Sequence, residues 1–546
     1  MNRTDDSAET LLVTIRPTAE VTIKAPRTRD SFLRKLRLAV KDALQRAGFE
    51  THVRVRANRV VAEIRRKEGE SAGQDEARES LSRVFGVGSF SFLEATSAAE
   101  LDEIVSTGAE LFAQHVKGRR YAVRCKRAGR HPFSSMDVER KLGAALNEGA
   151  TVDLTDPEVT VEVEVTDRRA QFFSQRHAGP GGLPLGTGGN ALALLSGGYD
   201  SIVAAWQLMR RGVEVDFVHF RLGDNRSEEI ALNVAKVLSD AWGAGSRPEA
   251  HVVDLRGAMD EMREVVTPNL WQVSLKRLMV RAADGVADAL EERAVGAASG
   301  VDADPRQAAR QRSRRRIDAL VTGEAIGQVS SQTLSNLRTI DEAAQRPVLR
   351  PLIGFDKLDI IAVAERIGTA ALSANAIEEC NITPVRPATS SRAERLTREE
   401  SGMAGGSLEA QLERVRQGDT RLPLRSLRLG EGYLEDAPAA PTDSPFGELQ
   451  VTEVPQGAVL LDCRSEAMRR WRPQWPDVRV VPAGVVEPAG YDQDATYVAF
   501  CPQGQRSSAV AEKLREGGVR AYSFAGGEGA LKSYLASVLS GTADQR

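Results

Sequence analysis

Residues 191–195 form a short apolar run that opens directly onto Ser196-Gly197-Gly198-Tyr199-Asp200-Ser201, and residues 202–209 continue with a helical pattern. A buried strand, a two-glycine turn and a helix start in immediate succession confine this part of the chain to an α/β arrangement. Adjacent glycines let a backbone wrap closely around an anion with no Cβ in the way. The free N–H groups and the dipole of the helix start then favour negative charge. The spacing fits neither Gly-x-x-x-x-Gly-Lys-Ser/Thr nor Gly-x-Gly-x-x-Gly, so this is neither a Walker nor a dinucleotide loop. The same residues can also be read as an ordinary strand–turn–helix corner.

At 546 residues the chain has room for three or four domains. With 41% hydrophobic and 27% charged residues it can bury several cores. No stretch reaches about 18 consecutive apolar residues, which argues against a membrane span, and residues 1–10 are polar and acidic, unlike a secretory signal. The four cysteines, Cys125, Cys380, Cys463 and Cys501, form no Cys-x-x-Cys pair. Neither a structural zinc site nor another metal site is expected, and a reducing cytoplasm is. The net charge of −3 hides local clusters: residues 24–46 hold eight basic against two acidic residues, and residues 117–141 nine against two. Each cluster can be a solvated helix face; two of them ahead of an anion cradle favour a nucleic-acid partner.

The expected organisation is multidomain α+β and α/β. A first α+β unit spans residues 1–71, with strands at 11–23 and 53–64 around a basic helix at 29–47. A second spans 72–178, with helices at 98–115 and 137–147 and strands at 121–126 and 160–165. A Gly/Pro-rich link, 179–189, leads to a domain at 190–387 whose further strands at 215–220, 250–254 and 319–322 alternate with helices. That alternation predicts a doubly wound, mostly parallel sheet. Residues 388–445 read as a linker, mobile at 436–445, and 446–546 as a last α/β domain. Residues 291–316, rich in Ala, Gly and Arg, read as an exposed insertion.

Ser-Gly-Gly-x-Asp-Ser resembles the PP-loop of enzymes that split ATP into AMP and pyrophosphate to adenylate a substrate oxygen. A second chemical loop, Cys501-Pro502-Gln503-Gly504-Gln505-Arg506-Ser507, follows an apolar strand and precedes a helix. Backbone N–H groups converging on the sulfur there would stabilise a thiolate or persulfide. Cys-x-x-Gly-x-Arg resembles the active loop of rhodanese domains. Asp462-Cys463-Arg464 looks like the structural Asp-x-Arg segment of the same domain, and Cys125 and Cys463 read as core residues.

Taken with the runs 123–135, 182–187, 275–283, 322–333 and 349–353, these loops make nearly the whole chain similar to the tRNA 4-thiouridine synthase (tRNA sulfurtransferase) family. The resemblance implies a ferredoxin-like domain, an RNA-binding THUMP domain, a PP-loop domain and a rhodanese-like domain. It implies ATP with Mg2+ as co-substrate and no permanently bound cofactor. ATP would be held by Leu194, Leu195, Ser196, Gly197, Gly198, Ser201, Lys276, Gly323 and Gln332, with Asp200 serving adenylation. Lys357 reads first as a surface loop lysine and second as a phosphate ligand. Arg124, Lys126, Arg127 and Arg130 are the tRNA-binding candidates, and the arginines at 312–316 are a weaker set. Cys501 would carry a persulfide from a cysteine desulfurase. Cys380 matches the family's second cysteine, which forms a disulfide with the first during turnover, although Asn381 and Ile382 depart from the family's form. The expected reaction is transfer of sulfur to C4 of uridine 8. Its rivals are sulfur supply to a thiamine-pathway carrier protein for thiazole synthesis, and a tRNA-holding module with a degenerate loop; Ser196, Gly197, Gly198 and Asp200, all present, weigh against the latter.

Overall fold

A computed structural model describes residues 10–56, 58–66, 73–173, 175–223, 225–297, 316–374, 376, 387–427, 450–464, 469, 471–481, 488–501, 505–525 and 527–541. The chain divides into two compact units, Met1–Leu429 and Gly430–Arg546. Among the described residues no helix is long and apolar enough to cross a membrane.

The first unit contains three sheets. The N-terminal one is antiparallel, in the order His177–Ala178, Val87–Phe92, Leu11–Pro17, Arg59–Arg66, Phe49–Arg56. Pro26–Arg46 covers it, burying Leu33, Leu36, Ala39, Val40, Ala43 and Leu44 at helical spacing. Three expectations change here, the first being the strand expected at 11–23, which ends at Pro17 and gives way to the helix Ala19–Thr22. The strand expected at 53–64 is a hairpin, turned at Asn58 with φ 61°, a conformation asparagine tolerates better than most residues. The boundary at 71/72 falls inside the first sheet, because Val87–Phe92 pairs with Leu11–Pro17.

The next sheet runs Ala95–Ala98, Arg169–Phe173, Val159–Val165, Arg120–Arg127, Thr151–Val152. Leu101–Val116 and Ser135–Leu146 pack on it through Ile104, Phe112, Val138 and Leu142. Cys125 belongs to this core, and burial pushes its thiol up to about 11, so it stays protonated and inert.

The third sheet follows the order Val348–Leu349, Ala319–Val321, Asn190–Leu195, Glu214–Arg221, Glu249–Asp254, Arg421–Pro423. Every pairing is parallel except the last. Leu192, Leu194, Val218, Phe220 and Val253 share a core with the long helix Trp271–Ala297, and Tyr199–Arg210, Asn225–Trp242 and Lys357–Ile367 complete the other layer. Residues 388–427 are not a linker: Ala393–Glu400 and Gly406–Gln417 insert Leu396, Leu412 and Val415 into that core. Arg277 and Arg281 clamp Glu400 at 3.1 and 2.7 Å. Helix Trp271–Ala297 carries the first residues of the expected insertion, and Glu291 pairs with Arg346. The rest of that insertion, 298–315, and the stretch 436–445 lie outside the described residues.

The second unit is a five-stranded parallel sheet in the order Gln450–Val451, Arg520–Phe524, Thr496–Phe500, Val459–Asp462, Val478–Val480, with helices Gln505–Glu516 and Gly527–Gly541.

Candidate active sites

In the third sheet, Asn190–Leu195 has Ala319–Val321 on one side and Glu214–Arg221 on the other, which puts the point where strand order reverses at its carboxyl end. Open α/β sheets bind ligands at such a point. The Ser196–Ser201 turn sits there and opens helix Tyr199–Arg210.

Gly197 takes φ +81°, and a Cβ on it would stand 3.2 Å from the Ile230 side chain and the Ala231 nitrogen. Gly198 is the N-cap. Ser201 braces the turn: its hydroxyl accepts from the Ser196 N–H and donates to the Gly198 carbonyl, both at 3.3 Å. Leu194 and Leu195 are buried strand residues, and the Leu195 carbonyl lies 3.0 Å from Nδ1 of buried His219.

Gly323 follows the neighbouring strand and abuts the same helix. A Cβ there would lie 2.4 Å from the Asp200 carbonyl carbon and 2.5 Å from the Ser201 nitrogen. Glu324, buried beside it, accepts from Thr322 Oγ1 at 3.1 Å and from Arg350 Nε at 2.8 Å. Gly323→Ala is expected to force this turn off the helix, at about 1–3 kcal/mol for an overpacked site. Tm should fall; a wild-type value would show that the close approach is unimportant.

Lys357 is the residue that reading the sequence undervalued. It starts helix Lys357–Ile367, and its Nζ donates to both Asp200 carboxylate oxygens at 2.8 Å. Asp356 caps that helix by accepting from the Asp359 N–H. No local signal marks the pair, because its members lie 157 positions apart.

Lys276 lies half-buried on Trp271–Ala297, four residues after Gln272, which accepts from Ser330 Oγ at 2.9 Å. Residues i and i+4 share a helix face, so Lys276 lies on the side of the helix toward the 327–332 loop. Buried Gln332 sits in that loop, and its Oε1 has no hydrogen-bond partner. Among the described residues no group of three or more His, Cys, Asp and Glu side chains is arranged to hold a metal ion.

Arg124, Lys126, Arg127 and Arg130 are all exposed. Strand alternation sends Tyr121, Val123 and Cys125 into the core and Arg124 and Lys126 to the opposite face. Arg124 donates to the Leu154 carbonyl at 2.5 Å, and Arg127 to that of Gly129 at 3.1 Å.

In the second unit Cys501 is buried at the end of Thr496–Phe500. The Ser507 N–H donates to its Sγ at 3.4 Å, and Ser507 Oγ lies equally close. Ser523 Oγ donates to Ser507 Oγ at 2.9 Å. Arg464, fully buried, takes a bidentate bond to Asp462 at 2.7 and 2.8 Å and sits over the rings of Phe500 and Trp471. It is a structural pair. Cys463 is also buried. Residues 502–504 and Cys380 lie outside the described residues.

The chain matches the thiamine biosynthesis protein (ThiI) family over residues 186–300 and 306–404, the THUMP domain over 98–174 and the ThiI ferredoxin-like domain over 12–91. Proteins named tRNA sulfurtransferase from Desulfurococcus amylolyticus and Azotobacter vinelandii are each 34% identical to it, over 95% and 94% of this chain and 97% and 99% of theirs. A crystal structure of a 4-thiouridine synthetase–RNA complex with bound ATP is similar at a TM-score of 0.60 and 26% identity, covering 76% of this chain and 99% of that one. A glycine cradle at the switch point, a carboxylate–lysine pair at its mouth and a relationship extending along nearly the whole chain lead to one assignment: this protein belongs to the tRNA sulfurtransferase family.

Proposed function

We propose that this chain uses ATP to transfer persulfide sulfur to a uridine of tRNA, making 4-thiouridine at position 8. The observation that carries this reading is the Asp200–Lys357 pair beside the Gly197–Gly198 turn. The cradle has no room for a Cβ at Gly323, and at Gly197 a left-handed φ and neighbours 3.2 Å from a Cβ position disfavour a side chain, which suits close backbone approach to phosphates. Lys357 and Lys276 bring point charges for a polyphosphate. Gln332 Oε1, buried and unpartnered, can accept from the amino group of an adenine. Mg2+ keeps mostly phosphate and water ligands, so it would enter with the nucleotide, and Asp200 is the carboxylate placed to meet it.

Adenylation of the uridine C4 oxygen turns a poor leaving group into AMP. Cys501, in a rhodanese-like domain, holds a sulfur received from a cysteine desulfurase, and Ser507 donates to it. The exposed basic face of the THUMP domain grips phosphates and shape. Such a reaction belongs in the cytoplasm. The purified chain, given tRNA, ATP and a desulfurase with cysteine, is expected to release pyrophosphate and yield 4-thiouridine by nucleoside mass spectrometry. Pyrophosphate release indifferent to tRNA, with no thiolated nucleoside, would refute the reading. The name of the matched family favours a second role, sulfur delivery for thiazole synthesis. It needs only residues 446–546, and growth of a suitable deletion strain without thiamine tests it.

A further inference from the structure

Two hydroxyl groups are buried beside Cys501. Ser507, in the first turn of helix Gln505–Glu516, and Ser523, on strand Arg520–Phe524, are both fully buried. Strand alternation puts Ser523 on the same face as Ala521, which shares a core with Cys501, while Tyr522 and Phe524 belong to the core on the other face. A hydroxyl in an apolar layer is costly unless it is hydrogen-bonded. Alanine fills that layer at Ala521 and at Ala499, the register partner of Ser523. A serine there therefore asks for a reason beyond packing.

Its partner supplies one. Ser523 Oγ donates to Ser507 Oγ at 2.9 Å, and Ser507 meets the sulfur twice, through its N–H and through its Oγ, each 3.4 Å from Cys501 Sγ. The contacts run from one strand through a helix to the end of the neighbouring strand. A serine hydroxyl turns among three staggered wells and carries one proton and two acceptor positions. Accepting from Ser523 occupies one of those positions and leaves Ser507 its own proton to donate, with Sγ within reach.

We propose that Ser523 is a positioning residue for sulfur uptake: acting through Ser507, it turns a hydroxyl donor onto the Cys501 sulfur. The proposal rests on the persulfide role proposed for Cys501 and adds to it the residue that sets the donor. In uptake the Cys501 thiolate attacks the outer sulfur of the donor protein's cysteine persulfide. That sulfur–sulfur bond breaks, a new one forms at Cys501, and the donor cysteine leaves with the electron pair. A donor aimed at a sulfur favours its charged form, and the thiolate is the nucleophile in such an exchange.

Among the described residues, the other titratable and charged side chains packed around Cys501 are Cys463, Tyr491 and Tyr497 of its core and the Asp462–Arg464 pair with Glu528. Arg464 is held by both carboxylates, at 2.7 Å from Asp462 and 3.0 Å from Glu528, and the Glu528 N–H donates to the Cys501 carbonyl. A substitution at Ser523 leaves all of these in place, so its effect on the sulfur reports the hydroxyl contacts.

The test follows alkylation of Cys501 by iodoacetamide across pH in the full chain, read at the Cys501 peptide by mass spectrometry so that the other thiols do not interfere. Ser523→Ala is expected to slow alkylation at neutral pH about threefold and to move the midpoint of the profile up by about half a unit, with Tm near the wild-type value. Ser523→Thr keeps the hydroxyl and should restore the wild-type profile. Ser507→Ala should slow alkylation about tenfold, and adding Ser523→Ala to it should change nothing more, because the two act in series. A wild-type profile in Ser523→Ala, or losses that simply add in the double variant, would overturn the proposal and make Ser523 a packing residue. If Ser523→Ala does not fold, Ser507→Ala decides, since a wild-type profile there leaves Ser523 nothing to act through. Failure of the wild-type chain to take sulfur from a desulfurase would overturn the persulfide reading instead, a result distinct from any change in the alkylation profiles.

Discussion

Replacing Asp200 with alanine should lower tRNA-dependent pyrophosphate release by about 100-fold or more, the usual loss when a group aimed at developing charge is removed. Lys357→Ala should cost a similar amount, because the two side chains form one hydrogen-bonded unit. The double variant is then expected to be little worse than either single one, since residues that act as a unit are strongly non-additive. Lys357→Arg should recover only part of the rate: a planar fork does not replace a point charge at a phosphate. Neither alanine change should stop Cys501 from accepting sulfur, because Cys501 lies in the other compact unit. Pyrophosphate release and persulfide labelling of Cys501 separate the two steps. Asp200→Ala with intact, tRNA-dependent pyrophosphate release would remove the assignment of the cradle.

How far such pairs can be read from sequence depends on whether their signal is local. The Ser196–Ser201 turn was legible because strand, glycines and helix start are contiguous, and the structure puts the turn at a switch point. The Asp462–Arg464 pair was legible for the same reason, being two positions apart. Lys357 was not, since its partner comes from another βα turn and an isolated lysine after Phe355-Asp356 reads as surface. Residues 388–427 misled through composition. Their charged and glycine-rich surface resembles a linker, while Leu396, Leu412 and Val415 supply enough apolar spacing to seal the nucleotide core. The first domain boundary failed differently. A sheet strand can be supplied from well beyond an apparent domain end, as Val87–Phe92 and His177–Ala178 are, and only register reveals it.

The other large effect concerns the two cysteines. Cys501→Ser should abolish thiolation in the first turnover, because a hydroxyl cannot carry the transferable sulfur. ATP-dependent pyrophosphate release should survive, since the residues proposed for adenylation all lie in the first unit. In the proposed sequence the terminal sulfur of the Cys501 persulfide attacks the activated carbon and AMP leaves. A mixed disulfide then joins carbon-bound sulfur to Cys501. The Cys380 thiolate attacks Cys501 Sγ, the thiocarbonyl leaves with the electron pair, and a Cys380–Cys501 disulfide remains for a two-electron reductant to open. The same disulfide forms if Cys380 instead attacks the persulfide and liberates sulfide as the nucleophile. Either route requires Cα atoms within about 7 Å of each other at that step. Cys380→Ser should therefore permit a first turnover and block or strongly slow the later ones. Single- and multiple-turnover thiolation rates, with disulfide mapping by mass spectrometry, distinguish these outcomes. Undiminished multiple turnover in Cys380→Ser, and no such disulfide in the wild-type protein, would mean that an external thiol resolves Cys501 and that Cys380 has no part in the transfer.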